Sequence, residues 1–155
     1  MAVTVVACQT QKKAISDNKE YVPYAKFKND TLNYLKANFE ENKNFYIGKP
    51  VKTILDDLEI PVLTSRRSGS MKDRNISELS LIFISWVELD KRTEHDLYIY
   101  FQESIPFSEL DVLIKDKREK YDDPVARMAW TELDAEFYGS RIIKDIQVVK
   151  FEARE

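Results

Sequence analysis

Residues 78–89, ELSLIFISWVEL, carry the strongest strand pattern in the chain. Their apolar side chains fall on both sides of the two-residue alternation, which predicts a strand buried on both faces for much of its length. Residues 96–104, DLYIYFQES, alternate in the same way after the polar stretch DKRTEH. The two segments therefore predict an antiparallel hairpin with a charged turn.

Helical patterns and shorter strands surround this hairpin. Apolar residues at helical spacing predict helices over residues 29–42 and 51–58, a third beginning at Ser108, and a fourth over 123–139 with Asp123 as its cap. Residues 61–65 and 144–153 predict further strands. Helices and strands alternate too irregularly for a doubly wound parallel sheet. The predicted fold is α+β, a mainly antiparallel sheet of about four strands with three or four helices packed on it.

Composition excludes several classes of function. A chain of 155 residues with 24 basic and 27 acidic side chains has the size of one domain and lacks the basic excess of a nucleic-acid binder. One cysteine forms neither an internal disulfide nor a thiolate metal site. Three glycines, at 48, 69 and 139, make no phosphate loop or dinucleotide fingerprint. We therefore expect a non-enzymatic protein without a cofactor, a metal or a nucleic-acid partner.

The first residues bear on location. Residues 5–8, VVAC, resemble the lipobox of bacterial lipoproteins. The resemblance implies that the Cys8 thiol is acylated and that a lipid anchor is the sole membrane attachment. Residues 1–8 would then be a signal remnant, 9–23 a polar linker and 24–155 a single domain. In the alternative interpretation, residues 3–7 are a first strand that ends at a small buried thiol.

A second resemblance covers residues 46–62, YIGKPVKTILDDLEIPV. A glycine, an amphipathic helix and a short strand are similar to one unit of the PASTA modules of bacterial cell-wall proteins. Ile54 stands where that family usually has a small alanine. We carry no binding function over from it.

A basic segment, SRRSGSMKDRN at residues 65–75, is the candidate binding site. It reads as a loop, and its cations could hold an anion because guanidinium forks match phosphate and carboxylate oxygens. The alternative is a solvated surface loop. The candidate anion-binding residues are Arg66, Arg67, Lys72 and Arg74.

Two other features have plain structural explanations. His95, the only histidine, lies in the charged turn and is expected at the surface, where the acidic neighbours Glu94 and Asp96 would raise its pKa. The tyrosines and phenylalanines of the first third of the chain are expected to form core.

Taken together, these patterns favour a non-enzymatic lipoprotein of the bacterial cell envelope, with a periplasmic domain that binds or scaffolds an unknown protein or envelope component. The alternative is a cytoplasmic acidic protein-interaction module of the inhibitor or immunity type. An unfamiliar small hydrolase is the third hypothesis.

Overall fold

The computed structural model of the protein describes residues 17–84 and 94–151. Within them lies one antiparallel sheet in the order β1-β2-β3-β4. Its strands are β1 Thr64–Ser70, β2 Asn75–Ile82, β3 Glu94–Pro106 and β4 Ile143–Phe151. The helices are α1 Thr31–Leu35, α2 Lys43–Tyr46, α3 Val51–Asp57, α4 Phe107–Lys120, α5 Pro124–Met128 and α6 Glu132–Gly139. The predicted α+β class and the mainly antiparallel sheet are confirmed.

One face of the sheet carries the hydrophobic core. Leu79, Leu81, Leu97 and Ile99 lie at alternate positions of the two central strands and are fully buried. Aromatic side chains from the helices, including Tyr34, Phe39 and Tyr46, complete this core with no exposed surface. The prediction that the aromatic first third of the chain forms core is therefore correct for these three residues.

The helices are more broken than predicted. The helix expected over residues 29–42 is α1, whose cap Asp30 accepts a hydrogen bond from the Asn33 amide, followed by a π-helical stretch, Lys36–Glu41. The helix expected over 123–139 divides into α5 and α6. Residues 129 and 130 leave the helical path because Ala129 forms a bridge with Thr64 and the Trp130 amide donates to the Leu63 carbonyl.

Helix α4 begins at Phe107, two residues before the first position that the predicted cap at Ser108 would give. Pro106, not Ser108, is its N-cap, and no side-chain cap hydrogen bond is present there. The proline fits because the first amides of a helix have no partner within the helix and a proline has no amide to satisfy. Asp123 and Pro124 open α5 as expected, with the Asp123 carboxylate accepting from the Val125 amide.

The basic segment 65–75 is not a loop. It forms the hairpin of β1 and β2, with a tight turn at residues 71–74 in which Arg74 adopts a positive φ of 50°. The sequence is polar because β1 is an edge strand, and polar or charged side chains on an edge discourage pairing with other chains. In the segment similar to a PASTA unit, α3 is present, but residues 58–63 are not a strand.

Residues 17–23, the described part of the predicted linker, pack on the domain. The Asn38 side-chain amide exchanges two hydrogen bonds of 2.8 Å with the Val22 backbone. The Tyr21 hydroxyl lies 2.8 Å from the Tyr34 hydroxyl and donates to the Asp57 carbonyl. Residues 9–16 lie outside the described residues, as do the alternatives for residues 3–7 and Cys8.

Candidate anion-binding site

The two adjacent arginines of β1 lie on opposite faces of the sheet, because successive side chains of a strand alternate. Arg66 lies over the face away from the core, where its Nη1 is 3.4 Å from the Asp96 carboxylate. Arg67 lies on the core side of this edge strand, next to α4. The structure therefore separates the two residues that the sequence places side by side.

Arg67 lines a cavity of about 290 Å³ between β1, α4 and α5. Leu113 and Ile114 of α4 form the apolar part of its wall. The rest of the lining is cationic. The four basic residues around this basic cavity are Arg67, Lys117, Arg118 and Arg127.

Lys117 is the buried member of this group, and its charge is neutralised. Its Nζ donates to the Asp134 carboxylate at 2.6 Å and to the Ala129 carbonyl at 2.9 Å. The same Asp134 oxygen accepts from the amide and the hydroxyl of Thr131, which completes the capping box of α6. The Lys117–Asp134 pair thus ties α4 to the start of α6.

The charge of Arg127 is held in place but not neutralised. Its Nε donates to the Tyr121 carbonyl at 2.7 Å and its Nη2 to the Asp122 carbonyl at 3.0 Å. Carbonyl groups orient a guanidinium but carry no net charge. The side chain is therefore fixed at the cavity with its positive charge intact.

Arg67 and Arg118 also keep their charge. Over residues 17–84 and 94–151, no carboxylate forms an ion pair with Arg67, Arg118 or Arg127. Burial raises the pKa of the Tyr138 hydroxyl, and the Arg67 guanidinium opposes that rise. Three arginines without an ion-pair partner among the described residues therefore line one small cavity.

The other predicted anion-binding residues do not join Arg67. Lys72 is exposed in the hairpin turn, and Arg74 lies over the Phe107 ring at 5.7 Å. Arg66 is engaged by Asp96 on the opposite face. Of the four candidates, the structure brings only Arg67 to the basic cavity.

His95 is another correction. It lies on β3 and is half-buried, not in an exposed turn. Burial lowers its pKa, and Lys150, its cross-strand neighbour, lowers it further, while Asp30 opposes them. Asp96 alternates to the other face of the sheet, where it accepts from the Ser80 hydroxyl at 2.6 Å.

Sequence reasoning missed Lys117, Arg118 and Arg127 as members of a site. Cations near the end of α4 are explained by the helix dipole alone, so their pattern carries no signal of a ligand. The tertiary placement of α4 and α5 beside β1 makes them a group. A local signal for that placement is absent from the sequence.

The side chains of the basic cavity have the chemistry of an anion-binding site. Guanidinium groups stay protonated in proteins and present rigid forks of N–H donors to oxyanions. The lining offers neither a hydroxyl or thiol nucleophile nor an unpaired carboxylate or imidazole base. The three arginines therefore make this cavity the candidate anion-binding site.

The fold and this cavity define the molecule as an α+β domain with a basic edge cavity. Comparison with protein-family models, curated proteins and solved structures finds no match to this chain. In the part of the chain that the structure describes, no helix has the length and apolar character to span a membrane. The same residues contain no group of three or more metal-ligating side chains.

Proposed function

We propose that the chain is a non-enzymatic binding domain that recognises an anionic group, a phosphate or a carboxylate, in the basic cavity. The observation that carries this proposal is the convergence of Arg67, Arg118 and Arg127 on one cavity without a carboxylate partner among the described residues. Clustered like charges repel each other, and an anion that accepts their hydrogen bonds relieves the repulsion.

The volume of the cavity supports a small ligand or a single group of a larger one. Ligand pockets commonly enclose roughly 300–1,000 Å³, and this cavity of about 290 Å³ lies at the lower limit. A phosphate or carboxylate with a short organic substituent is of suitable size. This fits a receptor or adaptor that captures one charged group of its partner.

The experiment is a calorimetric or NMR titration of the folded protein with inorganic phosphate at low ionic strength. Arg67→Gln and Arg118→Gln should each weaken binding about tenfold or more, because a hydrogen bond to a charged group contributes roughly 1.5–3 kcal/mol. Lys72→Gln removes one charge from the turn of the same hairpin and should leave the affinity within about twofold. Equal affinities for the wild type and Arg67→Gln, or no binding at all, would contradict the proposal.

We further propose that this domain acts in the bacterial cell envelope, held there by a lipid on Cys8. The support is the resemblance of residues 5–8 to a lipobox and the physical reason for multiple acylation, since one chain gives only marginal membrane binding. Intact-mass analysis of the protein expressed from its complete gene should show acylation that Cys8→Ser removes. An unmodified Cys8 would favour the cytoplasmic interaction module instead.

A further inference from the structure

We infer that the basic cavity selects a dianion, namely free phosphate or the terminal phosphate of a small phosphorylated molecule, over a carboxylate. This inference rests on the proposed function, because it names the ligand class of the same site. Its support is the number of positive charges around the cavity and the arrangement of the N–H donors of the arginines.

The charge count favours two negative charges. Lys117 is neutralised by Asp134, so the cavity presents three positive charges, on Arg67, Arg118 and Arg127. A carboxylate would leave two of them uncompensated, whereas a dianion leaves one. At distances of a few ångströms in a partly enclosed site, each such charge interacts strongly with the ligand.

The donors also favour a tetrahedral oxyanion. The three arginines that line the cavity belong to three different elements, β1, α4 and α5, so their N–H donors come from different parts of its wall. A carboxylate has two oxygens in one plane, which suits one fork. A phosphate group distributes three terminal oxygens around the phosphorus and can accept from Arg67, from Arg118 and from the N–H groups of Arg127 that the Tyr121 and Asp122 carbonyls leave open.

Leu113 and Ile114 define what can be attached to the phosphate. Their side chains line the cavity beside the arginines, so a neutral organic group on the fourth phosphate oxygen can contact carbon there. This arrangement accommodates a small phosphate monoester. Free phosphate satisfies the same donors without using this apolar wall.

Dianion selection has a pH signature that comes from the ligand. The groups facing the ligand are Arg67 from β1, Arg118 and the Lys117–Asp134 pair from α4 and α6, and Arg127 from α5, with the Tyr138 hydroxyl near Arg67. The arginines stay charged over the whole range, and burial keeps Tyr138 protonated. The second ionisation of a phosphate monoester falls near pH 6, so its charge changes between pH 5 and pH 8.

The test is a set of titrations with inorganic phosphate, glycerol phosphate, sulfate and acetate at pH 5 and pH 8, at constant ionic strength. Glycerol phosphate should bind about tenfold more weakly at pH 5, where only about a tenth of it is dianionic, and inorganic phosphate, whose second ionisation lies at a higher pH, should weaken by more than that. Sulfate, which stays dianionic, should bind equally at both values, and acetate should bind at least tenfold more weakly than sulfate. Tighter binding of glycerol phosphate than of phosphate identifies a phosphorylated molecule, and the reverse order identifies free phosphate.

The outcomes separate this inference from the proposed function. Acetate that binds as tightly as sulfate and loses affinity in Arg67→Gln would overturn the dianion inference and leave an anion-binding domain. Phosphate binding that does not change with pH would also overturn it. If none of the four anions binds in a way that depends on Arg67, both fail. Arg67 is exposed, so Arg67→Gln should fold, which circular dichroism checks.

Discussion

Arg66 and Arg67 are neighbours in the chain, yet their surroundings on the two faces of β1 differ in charge balance. On the Arg66 face, a fully buried carboxylate, Asp96, accepts from both Arg66 and the Ser80 hydroxyl. On the Arg67 face, the nearby cations are Arg118 and Arg127, and the Asp134 carboxylate beside them is already paired with Lys117.

The difference separates charges that stabilise the fold from charges that are available to a ligand. A buried carboxylate must be paired and hydrogen-bonded, so the cation beside it is committed to the fold. An arginine that lacks such a partner is repelled by neighbouring cations, and its N–H donors remain available to a ligand. The following predictions test this division, from the largest expected effect to the smallest.

The largest effect on stability is expected at Lys117, the buried residue of the basic cavity. Lys117→Met should lower the free energy of unfolding by about 3–5 kcal/mol, because it leaves the buried Asp134 carboxylate without its cation. Urea denaturation measures this loss. Lys115→Met, in the same helix but in an exposed pair with Glu119, should change it by less than about 1 kcal/mol.

A double variant tests whether the loss of stability in Lys117→Met comes from the uncompensated charge of Asp134. Lys117→Met combined with Asp134→Leu deletes both charges and should recover part of the loss, because an uncompensated charge is no longer buried. The Thr131 cap is lost in this variant, so recovery is incomplete. A single variant as stable as the wild type would contradict the structural role of the pair.

The sequence predicted the fold well because its signals are local and repeated. The two-residue alternation extends over residues 78–82 and 96–101, and the helical spacing extends over residues 51–57. Each pattern covers several residues, so one residue that departs from it does not obscure the strand or the helix. Strand β1 was misread as a loop because its polar composition resembles a turn. An edge strand has at most one buried face, so its alternation of apolar and polar residues is weak.

The stabilities of Arg66→Ala and Arg67→Ala test the difference between the two faces of β1. Arg66→Ala should destabilise the protein by about 1–2 kcal/mol, since Asp96 loses an ion pair that is 39% exposed on the arginine side. Arg67→Ala should be neutral or slightly stabilising, because it relieves repulsion with Arg118 and Arg127. Thermal denaturation of both variants measures the difference. Equal losses in the two variants would abolish the distinction between the two faces.

The candidate site was only partly predictable for a related reason. Arg66 and Arg67 stand out as a pair in the sequence, but a strand sends neighbours to opposite faces. The residues that do meet Arg67 lie about 50 or more positions later, in α4 and α5. Their grouping depends on which helix covers which strand, and that is decided by packing of the whole domain.

His95 on β3 also has surroundings set by the face of the strand on which it lies. Its titration is expected to have the smallest effect on stability. Because burial and Lys150 lower its pKa, the unfolded chain binds a proton more readily than the folded one. Stability is therefore complete above the unfolded pKa of 6.5 and declines as the pH falls from there through the folded pKa. The loss should stay below about 1 kcal/mol, since the ring is only half-buried and solvent screens its charge.

The single histidine makes this measurement direct. Its ring resonances in NMR spectra should titrate with a midpoint below 6.5, and His95→Gln should flatten the stability profile between pH 7.5 and pH 5. A midpoint above 6.5 would mean that the acidic neighbours in the sequence outweigh burial and Lys150, contrary to the strand geometry. The sign of this shift thus decides whether charge effects follow the order of residues in the chain or the face of the sheet on which each residue lies.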